Sequence, residues 1–142
     1  MKLNWIATDP ENGRLSHTRR TAVEEYIARI GIWLELGEGY TEVSLADRPY
    51  PCLAFGFRGS HGVIHQFAAE DEVFLLSGDC VVADEQTVLV PILDNDDSEF
   101  TGELVLSADH AWAAVKEFVR NGSVEGLGAL GRALTRPGSS AV

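Results

Sequence analysis

The chain has 142 residues, 45% of them hydrophobic, and carries 22 acids against 11 bases for a formal charge of −11. That length fits one domain with a core of its own, and no apolar run reaches the roughly 20 residues of a membrane-spanning helix. Nucleic acid and anionic membrane are met by clustered Lys and Arg, so neither is an expected partner of this acidic chain.

Lys2 to Ala7 alternates Leu3, Trp5 and Ala7 with Lys2, Asn4 and Ile6, which predicts a short strand. Met1 to Asp9 holds no apolar core of leader length, so the expected location is the cytoplasm. Cys52 and Cys80 are then reduced, and the apolar sequence around each reads as a small buried thiol. Asp9-Pro10-Glu11-Asn12-Gly13 is a turn by composition. Thr21 to Leu36 reads as the first helix, opened by a capping box between Thr21 and Glu24 and closed by Gly37 and Gly39. Val23, Tyr26, Ile27, Ile30, Trp33 and Leu34 form its apolar stripe.

From Tyr40 the period switches to two. Tyr40–Leu45, Cys52–Phe57, Val63–Phe67, Val73–Leu76, Thr87–Leu93 and Phe100–Leu106 read as strands, with a tight hairpin at Arg58 to Gly62. Asp94 to Glu99 reads as a solvated loop. Ser107 caps a second helix from Ala108 to about Asn121, with Trp112, Val115, Phe118 and Val119 buried and Gly122 as its stop. Asp109 in its first turn and Lys116 and Arg120 towards its end complement the helix dipole. Glu125 to Leu134 reads as a weaker third helix, interrupted by glycines. The sum is an α+β fold: an antiparallel meander sheet of about six strands, with an N-terminal and a C-terminal helix packed on one face. Residues 1–134 form a single domain and 135–142 a flexible tail. Acidic loops are expected at strand ends and on the side that the helices leave uncovered.

The charge is not spread evenly. Gly59 to Val115 contains no Lys or Arg and twelve acids, while the other 85 residues come to +1. Like charges confined to one stretch create a directional field, which points towards a binding face, with a plain acidic surface that keeps the protein soluble as the competing reading.

Chemical sites are less well supported. Cys52, His61, His65 and Cys80 are metal-ligand types, but His61 and His65 on a strand lie roughly 13 Å apart, too far to share an ion. Asp94 to Glu99 resembles the opening of a calcium loop, yet Glu99 stands where that loop needs Gly and Val105 where it needs Glu. His65 or His110 could join Asp79 or Asp109 and Ser60 or Ser77 in a nucleophilic triad, but Gly59-Ser60-His61-Gly62 is no nucleophile elbow. No cofactor, metal or catalytic residue is therefore expected. An enzyme using His65 or His110 stays as a minor alternative.

The stretch Phe100-Thr101-Gly102-Glu103-Leu104-Val105-Leu106-Ser107, followed by Ala108 to Gly122, resembles the closing strand, cap and helix of a known family, and Leu53–Phe57 with Val63-Ile64 fits the same family's central sheet. The family is that of the small immunity proteins of bacterial polymorphic toxin systems, often encoded beside nucleic-acid deaminase toxins. The resemblance implies a cytoplasmic, non-enzymatic protein that binds and neutralises a cognate toxin, a deaminase or nuclease with a basic cleft. An acidic face would cover that cleft and speed capture above a neutral rate of roughly 10⁵–10⁶ M⁻¹s⁻¹. The candidate contact residues are Glu70, Asp71, Glu72, Asp94, Asp96, Asp97 and Glu99. Phe74 and Phe100 are the candidate hot spots, with plain core as the competing reading for both. An acidic secretion-chaperone-like protein that binds an effector segment is the alternative, favoured by a stable dimer; whether the chain forms a homodimer is left open.

Overall fold

Alternation in the first strand puts Leu3, Trp5 and Ala7 on one face, and all three are buried. The computed structural model describes residues 2–9, 11–92, 96–128 and 130–134. In chain order its elements are β1 (Lys2–Ala7), β2 (Arg19–Ala22), α1 (Val23–Glu35), β3 (Glu38–Leu45), β4 (Cys52–Arg58), β5 (His61–Ala69), β6 (Glu72–Leu76), β7 (Thr87–Ile92), β8 (Asp96–Thr101), a 3₁₀ turn (Gly102–Leu104), β9 (Leu106–Ser107), α2 (Ala108–Asn121) and β10 (Leu130–Leu134). The main sheet runs β2-β1-β3-β4-β5-β6-β10, every neighbour antiparallel, and short β9 pairs with the start of β5. This is the expected α+β meander.

Register decides which side chains share a face. Thr41, Phe55 and Ile64 stand opposite one another across β3, β4 and β5, and Trp5 stands opposite Val43. That face meets both helices. Tyr26 and Ile30 of α1 and Ala111, Val115, Phe118 and Val119 of α2 close the main core with Trp5, Leu53, Phe55 and Phe57. Trp5 meets Tyr26 edge-on at 5.2 Å, and Phe55 stacks with Trp112 at 6.2 Å. The buried polar groups are paired. Thr41 Oγ1 donates to the carbonyl of Ile6 at 2.9 Å, so Tyr26 Oη donates to Thr41 Oγ1 at 3.1 Å.

The opposite face carries a second core. Val63, Leu75, Val82, Val90, Leu104 and Val105 pack there with Val88 and Phe100, beneath a hairpin made of β7 and β8. Gly56 of β4 allows this close approach: a Cβ at that position would lie 2.4 Å from the carbonyl oxygen of Pro91 and 3.0 Å from Val90 Cγ1. Strand β4 is thus covered on both sides, as its unbroken apolar run Leu53 to Phe57 requires.

Several expectations are corrected. The Thr21–Glu24 capping box does not form, because Thr21 belongs to β2 and its Oγ1 accepts from Trp5 Nε1 at 2.9 Å; the N-cap of α1 is Ala22, without a side-chain cap. Residues 96–99 are not loop but the start of β8, and of the expected strand Phe100–Leu106 only 100–101, the end of β8, and Leu106, the start of β9, are strand. The turn at Gly102–Leu104 then breaks the line before β9. In place of the expected third helix, residues 125–128 form a turn and 130–134 form β10, an edge strand antiparallel to β6. The sheet face away from the helices is not left uncovered, since the hairpin lies on it. Cys80 is exposed, at φ 68°, whereas Cys52 is mostly buried and its thiol is pushed up to about 12 by burial and by Glu42. Ser107 does cap α2, accepting from the His110 N–H at 3.2 Å, and Gly122 ends it at φ 74°. The proposed tail, 135–142, and Asp94 lie outside the described residues.

Candidate functional site

Strand order turns the uneven charge of the sequence into an uneven charge in space. Lys2, Arg19 and Arg20 sit on β1 and β2, at one side of the sheet, while Arg132 lies on β10 at the other side, beside β6. The acids of the base-free segment enter only from β5 onward, in the β5–β6 turn, the β6–β7 connection, the hairpin and the approach to α2. Arg58, just before that segment, holds Asp97 at 2.6 Å and Glu38 at 3.2 Å, and Lys116 follows directly after the segment. Those ion pairs are surface-exposed and contribute little to stability.

The candidate contact residues do not converge on one spot. Glu70 and Asp71 form the turn between β5 and β6, with Glu72 opening β6, and all three are exposed. Asp97 is tied through Arg58 to the other end of β5, since Arg58 stands opposite His61. Eight strand steps separate His61 from Ala69, so the two acidic groups are roughly 26 Å apart along the strand. Asp96 opens β8 and Glu99 is exposed on it, opposite Leu89. The two aromatic candidates lie on opposite faces of the sheet. Phe74 stands opposite Gln66 on the helix-covered side, whereas Phe100 packs into the second core, edge-on to His65 at 5.7 Å.

Among the described residues, the large apolar groups that reach solvent within the acidic segment are Val81 and Leu89, 44% and 50% exposed. Sequence alone could not separate them from their neighbours Val82 and Val90, which are buried in the second core. Beside Val81 lies an open groove of about 560 Å³ lined by His61, Val81, Val82, Glu85, Gln86, Thr87 and Val88. Leu89 follows two residues after Thr87, on the same face of β7.

The loop that builds the groove is held in place from several sides. Asp79 accepts from the backbone N–H of Ser107 at 2.9 Å and of Val81 at 3.2 Å, and pairs with His110 Nδ1 at 3.0 Å. Partial burial pushes the Asp79 carboxyl up, but these donors outweigh it and hold it below the usual carboxylate range. Gln86 N–H donates to the Ala83 carbonyl at 3.0 Å, and Gly102 N–H to the Gln86 carbonyl at 2.8 Å. Gly102 is required there: a Cβ would fall 2.0 Å from the carbonyl oxygen of Ala83.

The histidine–acid pair that the sequence suggested does form between His110 and Asp79, but its geometry is that of a clamp. The nearby serine is Ser107, whose Oγ is engaged by the backbone of α2, and among the described residues no hydroxyl bonds the other ring nitrogen of His110. His65 sits between Phe67 and Phe100, and burial lowers its pKa to about 4, so it is neutral at physiological pH. His61 and His65 both fall on β5, four residues apart in extended chain, and among the described residues no three His, Cys, Asp or Glu side chains converge to hold an ion. No protein-family model matches the chain, and no curated protein matches it.

Proposed function

We propose that this chain is an immunity protein that binds a cognate bacterial toxin and neutralises it by covering a basic active-site cleft. The observation that carries the reading is the uneven charge of the chain: residues 59–115 hold twelve acids and no Lys or Arg, and Val81 and Leu89 of the same segment are exposed. An acidic surface with exposed apolar groups suits capture of an oppositely charged folded surface: charge steers the encounter and apolar contact holds it. The resemblance of Phe100–Gly122 and the β4–β5 hairpin to the immunity family points the same way. The toxin is proposed to be a nucleic-acid-targeting deaminase or nuclease, since such an enzyme presents a basic substrate cleft, and binding is proposed to take place in the cytoplasm.

The test is co-expression with the toxin domain encoded beside this gene, in a host that lacks this chain. Rescue of growth, with a 1:1 complex that a salt step dissociates, is the expected result. Continued killing despite soluble expression of both chains would overturn the reading. The chaperone-like alternative draws on Ile32 and Leu36, each 60% exposed one turn apart on and just beyond α1, which a dimer could bury. A stable dimer by light scattering, with affinity for an unfolded effector segment, would favour it.

A further inference from the structure

Resting on that reading, we propose that the groove at the start of β7 is the socket for one arginine side chain of the partner. Its walls are mixed in the way a guanidinium needs. Val81, Val82 and Val88 supply apolar lining for an alkyl stem, Glu85 is the acid of the lining, and Gln86, Thr87 and His61 complete it. Glu85 is exposed and, among the described residues, makes no ion pair or hydrogen bond. With no base anywhere in residues 59–115, its nearest neighbours in the chain cannot supply a countercharge.

The socket is also built in advance. Val82 is anchored in the second core, Asp79 fixes the loop's entry through Ser107, Val81 and His110, and Gly102 locks its exit through Gln86. A rigid site loses less ordering entropy on binding than a loose loop would. Arginine is favoured over lysine because its planar, weakly hydrated head lies against apolar and ring surfaces and pairs in a fork with a carboxylate, whereas ammonium keeps its water. Leu89, on the same face of β7, then receives apolar surface flanking that arginine.

The test uses the full chain, uniformly ¹⁵N-labelled, titrated with N-acetyl-arginine amide and separately with N-acetyl-lysine amide at constant ionic strength. Expected are saturable amide shifts confined to residues 81–88 and His61, with the lysine probe several-fold weaker. Glu85→Gln should weaken the arginine probe by about tenfold while leaving the remaining spectrum in place. Shifts that never saturate, that spread over all acidic loops, that are equal for both probes, or that survive Glu85→Gln unchanged would overturn the proposal. The two readings fail separately. A chain that protects against its toxin but shows no arginine site loses only the socket, whereas a chain with the site that protects against nothing loses the immunity role.

Discussion

Replacing His65 with Phe should flatten the dependence of stability on pH between 7.5 and 5.5. The ring lies on β5 opposite Ala54 and Leu75, flanked by Phe67 at 6.4 Å and Phe100 at 5.7 Å, in the second core beneath the hairpin. Burial there disfavours the imidazolium and lowers the pKa from 6.5 to about 4. Between those values the unfolded chain takes up a proton that the folded chain refuses. The stability contributed by the neutral ring is therefore complete above pH 6.5 and is lost as pH falls towards 4. Two and a half pH units of separation set a ceiling of about 3.4 kcal/mol, and the part lost by pH 5.5 is about 1.3 kcal/mol, close to tenfold in the folding equilibrium. Asp79, held below its ordinary range, acts only at more acidic pH and does not contribute in this window. Urea unfolding followed by tryptophan fluorescence at the two pH values measures the loss, and both lie above the isoelectric point of about 4.6. The wild type should lose about 1.3 kcal/mol and His65→Phe close to none from this site. An equal loss in both proteins would refute the assignment of the slope to this ring.

Three other predictions use the same unfolding assay or simple kinetics. Gly56→Ala should cost about 1–3 kcal/mol, because the new methyl meets the backbone of Pro91, whereas Gly31→Ala, with nothing within 4 Å, should stabilise α1 by up to about 1 kcal/mol. Ser107→Ala should cost about 1 kcal/mol through loss of the N-cap on α2; an unchanged denaturation midpoint would argue that His110 N–H finds another acceptor. Reversing Asp84 and Glu99 to Lys should slow association with the toxin at low salt while changing dissociation little, and reversing Asp71 and Glu72, at the far end of β5, should do the same more weakly. A loss confined to the off-rate would count against steering.

The sequence was most legible where local and tertiary preferences agree. Leu53 to Phe57, an apolar run, and Val63 to Phe67 are strands around a Gly-Ser turn, and Ser107 and Gly122 bracket a helix whose stripe is buried as its spacing implies. Where they conflict, tertiary pairing won. Asp96 to Glu99 has little intrinsic preference for a strand, yet antiparallel pairing with Val90, Pro91 and Ile92 holds it extended. Leu130 to Leu134 has too few residues to reveal its period, and the open edge of β6 makes it a strand. Thr21 carries a genuine capping signature, but the indole of Trp5, sixteen residues away, takes its hydroxyl. The candidate site was legible as a charge distribution and not as a set of contact residues. Alternation along β7 decides that Leu89 faces solvent while Val90 does not, and that register depends on β8, which the sequence hid.

Strand β2 has a consequence for how copies of this protein behave when crowded. Among the described residues its outer edge has no strand partner, and an unpaired edge is a template on which a foreign strand can grow. Here the edge is only four residues long and carries two adjacent arginines, Arg19 and Arg20, with the Arg19 guanidinium 5.6 Å from the Trp5 ring. A second copy approaching in register would have to bring its own pair of cations alongside. The sheet is thereby guarded against fibrous growth at this end by repulsion, without a covering element.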